Sequence, residues 1–182
     1  GRVTPIFIQK EKTLKKKSYI LVPGCGLGHD ALYLAKKKHI VDALDFSEYA
    51  IEFILNISKK KNIEINPLKV DYFSFKNEYY LKYDYIIEYT FFCAIDPLKR
   101  ALYAEKCYHL LKDDGRLIGI FLPLNNESCN NPPYQVTIND IKRTFSNLFN
   151  ITKIETDINS IPQRLGNEVY IEMVKKWRID II

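Results

Sequence analysis

The chain has 182 residues and a formal net charge of +5 at pH 7, and 47% of its residues are hydrophobic. A chain of this length and composition is expected to fold as a single domain, residues 1–182, which excludes an intrinsically disordered protein. No apolar run approaches the roughly 20 residues of a membrane-spanning helix, so we expect no membrane association.

The first half of the chain alternates helical patterns with short apolar runs. Its elements are predicted in this order: a helix beginning at Thr4 and Pro5, a strand at 19–22, a helix at about 30–38, a strand at 40–44, a helix capped by Ser47, and a brief strand at 68–70. The first strand is a continuous apolar run, which is typical of parallel strands buried on both faces. Four apolar residues fall on one face of the helix after Ser47: Ala50, Phe53, Ile54 and Ile57.

The second half continues the alternation. Its elements are predicted as a strand at 83–88, a helix after Pro97, a strand at 116–122 that follows a turn at Asp114 and Gly115, a polar loop at 125–133, a helix capped by Thr137 and Asp140, and strands at 151–155 and 169–174. Only a short loop joins the last two strands, so they should be antiparallel. The sequence therefore predicts an α/β protein with a Rossmann-like, doubly wound, mostly parallel sheet of seven strands that ends in an antiparallel hairpin.

A glycine-rich turn follows the first strand, where residues 21–30 read LVPGCGLGHD. A dinucleotide-binding fingerprint needs a glycine at its sixth position, which here is His29. The G-x-G-x-G form, with Gly24 and Gly26 approaching the methionine part of the ligand, is used by methyltransferases that depend on S-adenosylmethionine (SAM). Asp45 ends the second strand 19 residues after Gly26, the offset expected for a carboxylate that accepts hydrogen bonds from both ribose hydroxyls.

Further candidates follow the third and fourth strands, because ligands of such sheets bind beyond the carboxyl ends of the strands. Asp71 and Tyr72 are placed for the adenine, and Glu88, Tyr89 and Thr90 are placed beside the sulfonium. Each residue also has a structural interpretation, since an acid can simply begin a helix and Tyr89 can be a packed aromatic. In combination, at these offsets, they favour cofactor binding.

The lysines form three short clusters, at residues 15–17, 36–38 and 59–61. Such clusters can form a nucleic-acid-binding surface. Two of them fall at the ends of predicted helices, where lysine interacts favourably with the helix dipole. We favour the second interpretation and expect no nucleic-acid partner.

The cysteines and histidines show no metal-binding pattern. Cys25, Cys93, Cys107 and Cys129 form no C-x-x-C pair, and the three histidines lack metal-ligand spacing. Free thiols indicate a reducing compartment, the cytoplasm, and no metal is expected.

The tetrapeptide NPPY at residues 131–134 is the signature of enzymes that methylate exocyclic amino groups of adenine. Those enzymes place it directly after the fourth strand, where its asparagine holds the target amine. Here Asn131 comes 42 residues after Tyr89, beyond the fifth strand. We therefore predict that this motif does not methylate amines in nucleic acids.

Several segments resemble the thiopurine methyltransferase family, and most closely its thiol and halide methyltransferase branch. They are GRVTP at residues 1–5, LVPGCGLGHD at 21–30, YDYIIEYTFFCAIDPLKR at 83–100, PPYQV at 132–136 and SIPQRLGNE at 160–168. The resemblance implies the fold of class I SAM-dependent methyltransferases. It also implies contacts of the cofactor with Gly24, Asp45, Asp71, Tyr72 and Tyr89. The acceptor site is implied to lie at Arg100, Pro132, Pro133 and Tyr134.

The resemblance implies methyl transfer from SAM to a small thiol, hydrosulfide, thiocyanate or halide by in-line displacement. Such soft nucleophiles need little help from a base, so we expect no general base and a pocket lined by Phe91, Phe92 and Tyr134. The family carries a tryptophan-rich lid segment before G-R-x-T-P, but the only tryptophan here is Trp177, so we expect that segment to be absent. We also expect the protein to be a monomer. The alternatives are an adenine-amino methyltransferase and a SAM-binding module that is inactive without its lid.

Overall fold

The computed structural model describes residues 1–124 and 131–177. Most of the polar loop predicted at 125–133, and Cys129 with it, lies outside the described residues. In the part of the chain that the structure describes, no helix is long and apolar enough to cross a membrane.

The described residues form five α-helices and seven strands, which alternate along most of the chain. The helices are α1 (Pro5–Lys10), α2 (His29–Lys36), α3 (Glu48–Lys61), α4 (Arg100–Leu110) and α5 (Ile138–Phe145). The strands are β1 (Tyr19–Pro23), β2 (Ile40–Asp45), β3 (Asn66–Lys69), β4 (Tyr83–Tyr89), β5 (Leu111–Phe121), β6 (Phe149–Glu155) and β7 (Val169–Lys175). Two of the three predicted caps are present: the Ser47 hydroxyl accepts from the amide of Ala50, and Thr137 and Asp140 form a capping box. Thr4 precedes α1 as predicted, but its hydroxyl donates to Oδ2 of Asp30 and does not cap the helix.

The seven strands form one sheet in the order β3-β2-β1-β4-β5-β7-β6. The pairs among β1 to β5 are parallel, whereas β7 runs antiparallel to both β5 and β6. The strand order reverses between β1 and β4, which is where this type of sheet forms a crevice. The predicted fold, including the C-terminal antiparallel hairpin, is confirmed.

One local prediction in the second half was wrong. Asp114 and Gly115 do not form a turn before the fifth strand but belong to a bulge inside β5, where Tyr83 pairs with Leu111 and Tyr85 with Arg116. The pairing on both sides of this segment keeps it within the strand despite its turn residues. The helix predicted after Pro97 is confirmed: Pro97 starts a 3₁₀ turn, and α4 begins at Arg100.

Each face of the sheet covers a separate apolar cluster. One cluster packs α4 and α5 against the sheet and includes Tyr72, Phe92 and Tyr103. The other packs α1 and α2 and includes Phe7, Leu34 and Tyr85, with Tyr89 partly buried against it. Alternate residues of β4 therefore point to opposite clusters, which decides where the side chains at its carboxyl end can act.

The lysine clusters lie at the amino edge of the sheet, opposite the crevice. Lys36 is in the last turn of α2, and Lys59, Lys60 and Lys61 form the last turn of α3. Two of the clusters thus sit at helix ends, as predicted, where their charge offsets the partial negative charge of the helix C-terminus.

Candidate functional site

A cavity of about 440 Å³ lies at the carboxyl ends of β1 to β4. Residues from four successive strand ends line it, including Gly24, Asp45, Asp71, Tyr72 and Phe91. Five of the residues predicted to bind cofactor or acceptor are therefore brought together in one cavity. This is the position in which open α/β sheets bind their ligands.

The turn after β1 has a conformation that requires glycine. Gly24 has a φ of +57°, and a Cβ atom there would lie 2.2 Å from Cδ2 of Phe91, well inside van der Waals contact. Gly26 has a φ of +52°, and a Cβ atom there would meet nothing within 4 Å. At Gly24 both the conformation and the space exclude a side chain, whereas at Gly26 only the conformation does. The Gly24 turn thus presents bare backbone to the cavity.

Asp45 fixes this turn from the end of β2. Its Oδ2 accepts a hydrogen bond from the backbone amide of Gly26 at 2.8 Å, and its Oδ1 accepts from the amide of Ser47 at 2.9 Å. A carboxylate has about four acceptor positions, so roughly two remain for a ligand. Asp45 can therefore hold the glycine turn and accept bonds from ligand hydroxyls at the same time.

The turn after β3 contributes an acid and an aromatic ring. Oδ1 of Asp71 accepts from the amides of Phe73 and Ser74, at 2.7 and 3.2 Å, and so caps this turn. Tyr72 is only 2% exposed, and its hydroxyl lies 3.2 Å from Sγ of Cys107 in the core. Tyr72 thus offers the cavity an aromatic surface, while its hydroxyl is turned away.

Two contributors to this part of the cavity were missed from the sequence. Phe46 lines the cavity and is 75% exposed, an unusual exposure for an aromatic side chain. Its position directly after Asp45 was a usable signal. Lys106 lies on α4, and its ammonium donates hydrogen bonds to the carbonyl oxygens of Tyr72 at 3.1 Å, Phe73 at 2.6 Å and Phe75 at 2.7 Å. All three ammonium protons are thereby used to hold the turn.

The segment after β4 closes the other side of the cavity with Thr90 and Phe91. Glu88, at the end of β4, is fully buried, and its carboxyl accepts hydrogen bonds from the amides of Phe91 and Phe92. Burial raises the pKa of Glu88 to about 8. Glu88 therefore lies behind the segment and does not face the cavity, contrary to the position beside the sulfonium predicted from the sequence.

Tyr89 is not brought together with the other predicted cofactor residues. Its ring lies edge-on to Phe7 at a centroid distance of 6.1 Å, on the α1 and α2 side of the sheet. Its hydroxyl accepts a hydrogen bond from Nη1 of Arg164 and lies 3.4 Å from Oε1 of the buried Glu168. Tyr89 thus belongs to a polar network at the carboxyl edge. The alternation along β4 was the signal that could have placed it there.

The remaining acceptor residues lie elsewhere. Arg100 and Tyr134 line a second cavity of about 640 Å³ between α4 and α5, and none of the described residues lines both cavities. The guanidinium of Arg100 stacks on Phe92 at 4.7 Å, and its Nη2 donates to the carbonyl oxygen of Gln135. Pro133 is exposed and lines neither cavity. The amide of Tyr134 nevertheless donates to the carbonyl oxygen of Cys93 at 2.7 Å, which joins the PPY segment to the segment after β4.

Two thiols lie close to the first cavity. Cys25 sits in the glycine turn, where burial and the neighbouring Asp45 raise its pKa to about 12. Cys93 follows Phe92, and burial raises its pKa to about 11. Both side chains are therefore protonated at neutral pH.

The cavity fits an adenosyl cofactor. The turn at Gly24 leaves its backbone without a side chain, Asp45 keeps acceptor capacity for ribose hydroxyls, and Phe46 and Phe91 supply apolar surface. These features lie together at the switch point of the sheet, as the sequence predicted for SAM.

Known proteins are similar to this chain in sequence and in fold. Residues 1–178 match the family described as thiopurine S-methyltransferase. Thiocyanate methyltransferase 1 of Arabidopsis thaliana is 34% identical over 176 residues, which cover 92% of this chain and 74% of that protein. Probable thiol methyltransferase 2 of Arabidopsis thaliana is 32% identical over 186 residues, which cover 98% and 77%.

A solved structure of another protein has the same fold. A SAM-dependent methyltransferase from Methanosarcina mazei superimposes with a TM-score of 0.80 at 17% identity, covering 98% of this chain and all of that one. The predictions of a SAM-dependent methyltransferase and of its family are confirmed. The chain belongs to the thiopurine S-methyltransferase family.

Proposed function

We propose that the protein transfers the methyl group of SAM to a small soft nucleophile, namely a thiol, hydrosulfide, thiocyanate or halide, by in-line displacement. The observation that carries this proposal is the cavity in which Gly24, Asp45 and Asp71 face Phe91 across the carboxyl ends of the strands. The Arabidopsis relatives, named for thiocyanate and thiol methylation, support the choice of acceptor.

The cofactor supplies an electrophilic methyl group on a sulfonium that is already a good leaving group. The protein then has two tasks, to position the acceptor and to exclude water from it. Phe91 and Ile95 form an apolar wall of the cavity after β4, where we place the methyl acceptor. An apolar wall favours weakly hydrated nucleophiles. We assign no residue as a general base.

A cation at the carboxyl edge is suited to attract an anionic acceptor. Arg164 lies over the ring of Tyr89 at 5.1 Å, and Glu168 holds its guanidinium in an ion pair of 3.6 Å. Neither arginine lines the first cavity. We propose Arg164 for this role because it contacts Tyr89 at the carboxyl end of β4, whereas Arg100 lines the other cavity. Pro133 and Tyr134 remain proposals for the acceptor side through the backbone bond of Tyr134 to Cys93.

The direct test is transfer of a labelled methyl group from SAM to thiocyanate, hydrosulfide and iodide, each supplied separately. We expect volatile methylated products from at least one of them. Calorimetric binding of SAM without turnover on any of these acceptors, or on a thiopurine, would instead indicate an inert SAM-binding module.

The NPPY segment provides a test against the nucleic-acid alternative. Asn131 is exposed, outside both cavities, so Asn131→Ala should leave thiol methylation within about threefold of the parent, as expected for a surface substitution. The measurement is labelled-methyl transfer to DNA, RNA and small thiols by both variants. Strong labelling of adenine amino groups that disappears in Asn131→Ala would support an amine methyltransferase instead.

Lys106 offers a test of the cofactor side. Replacing it with methionine removes three hydrogen bonds that hold the turn after β3, so the dissociation constant for SAM should rise roughly 3- to 10-fold. Isothermal titration calorimetry measures this change. Lys112→Met is the matched control, because Lys112 pairs with Asp84 on the surface and away from the cavity. Equal weakening by both substitutions would contradict a specific role for Lys106.

The location and assembly of the protein are part of the same proposal. We infer a reducing compartment such as the cytoplasm, supported by the free thiols of Cys25, Cys93 and Cys107. We further propose that the protein acts as a monomer on small-molecule acceptors, without nucleic-acid or membrane partners.

A further inference from the structure

We propose that Glu88 is a positioning residue for the methyl acceptor, because its carboxyl group fixes the backbone of the segment that carries Phe91. Its Oε1 accepts hydrogen bonds from the amide of Phe91 at 3.1 Å and from the amide of Phe92 at 3.0 Å. The inference rests on the proposed function, since it concerns the acceptor side of the same cavity.

The segment needs such support because its backbone is strained. Thr90 has a φ of +66°, a conformation that is unfavourable for a β-branched residue. Such a conformation persists only where surrounding contacts hold it. The two bonds to Glu88 come directly after Thr90, and Sγ of Cys93 donates to the Thr90 carbonyl oxygen at 3.0 Å. Together these contacts hold the backbone directly after the strained residue.

The contacts of Glu88 and Cys93 with this segment determine where the ring of Phe91 lies. That ring packs so closely on Gly24 that a Cβ atom there would overlap it, and it contacts the ring of Tyr72 at a centroid distance of 5.4 Å. The ring of Phe91 thus connects the part of the cavity proposed to hold the methyl acceptor with the glycine turn after β1. A shift of its backbone would change the width of the cavity on the acceptor side.

The neighbouring strand has no side chain where Glu88 packs. Gly119 pairs with it on β5, and a Cβ atom at Gly119 would lie 3.0 Å from Cβ of Glu88 and 2.8 Å from Cε2 of Phe121. The hydroxyl of Tyr103 on α4 lies 3.4 Å from Oε2 of Glu88. The carboxyl group is therefore enclosed on the face that packs against α4.

Among the described residues, the titratable groups around Glu88 carry no positive charge. They are Tyr72 from the turn after β3, Cys93 from the following segment, and Tyr103 and Cys107 from α4. Burial without a cation raises the pKa of Glu88 to about 8, so the side chain is mostly neutral at neutral pH. Glutamine, which is neutral and has the same shape, should replace it well.

The test compares Glu88→Gln with Glu88→Met, which has similar length but no comparable acceptor for the two amides. With thiocyanate as acceptor, we expect Glu88→Met to raise KM by at least about fivefold while the Kd for SAM changes by less than about twofold. Glu88→Gln should stay within about twofold of the parent in both quantities. Ile87→Ala serves as the stability control, because Ile87 is buried on the opposite face of the same strand.

A second readout does not depend on turnover. The amides of Phe91 and Phe92 should lose protection from hydrogen exchange in Glu88→Met and keep it in Glu88→Gln and Ile87→Ala. If the parent enzyme methylates no tested acceptor, the proposed function is wrong, and the exchange measurement alone decides the role of Glu88. An unchanged acceptor KM with unchanged protection in Glu88→Met, or equal losses in Glu88→Gln and Glu88→Met, would overturn the positioning role. So would equal changes of acceptor KM in Glu88→Met and Ile87→Ala.

Discussion

Replacing Asp45 with alanine is expected to raise the dissociation constant for SAM by roughly 10- to 100-fold, which corresponds to about 1–3 kcal/mol. The change removes the proposed acceptor for the ribose hydroxyls. It also leaves the amides of Gly26 and Ser47 without their partner, so the glycine turn loses its support. Isothermal titration calorimetry with SAM and with S-adenosylhomocysteine measures the effect directly.

Two variants serve as controls for this prediction. Asp114→Ala removes an exposed acid in the bulge of β5, paired with Lys15 at 2.7 Å, and should leave the dissociation constant unchanged. Asp45→Asn keeps one acceptor oxygen and should lie between the parent and Asp45→Ala. If Asp45→Ala binds SAM as tightly as the parent while its circular dichroism spectrum is unchanged, Asp45 does not bind the cofactor.

The rate of methyl transfer to a small thiol should rise about 30-fold between pH 6 and pH 7.5, while the rate with iodide stays constant within about twofold. The thiol must ionise before it can attack, and below its pKa near 8.5 the thiolate fraction grows about tenfold per pH unit. Iodide is ionised throughout this range. The contrast follows from the assignment of no general base.

The pH range of this experiment is set by Glu88. Because the pKa of this buried carboxyl is raised to about 8, its neutral form dominates at lower pH and the segment after β4 keeps one charge state. The folded protein binds this proton more tightly than the unfolded chain, so the contribution of Glu88 to stability falls as pH rises towards about 8. Initial rates measured at saturating SAM distinguish a change in the methyl-transfer step from this change in stability. An iodide rate that climbs as steeply as the thiol rate would require an enzyme base.

The order of the elements could be predicted from the sequence because their signals are local. Ser47 and Thr137 are caps that depend on residues three positions away, and the continuous apolar run at β1 marks a buried strand. The bulge in β5 could not be predicted in this way. Asp114 and Gly115 carry a genuine turn signal, but strand pairing at Leu111 and Arg116 overrides it.

The same distinction between local and long-range signals separates the site residues that could be predicted from those that could not. Gly24, Asp45 and Asp71 lie at the carboxyl end of a strand or within two residues of it, so the topology alone places them at one edge of the sheet. Arg100 lies eleven residues beyond the end of β4 at Tyr89, and the position of its side chain depends on how α4 packs. In the structure it lines the other cavity. Lys106 acts on carbonyl groups more than 30 residues earlier in the chain, a contact for which the local sequence carries no signal.

An enzyme that delivers methyl groups to sulfur must avoid alkylating its own thiols, and the burial of Cys25 and Cys93 provides that protection. Only the thiolate attacks a methyl donor readily. With their pKa values raised to about 12 and about 11, both thiols are protonated at neutral pH. Cysteines can therefore lie near the cavity proposed for the sulfonium without being methylated readily.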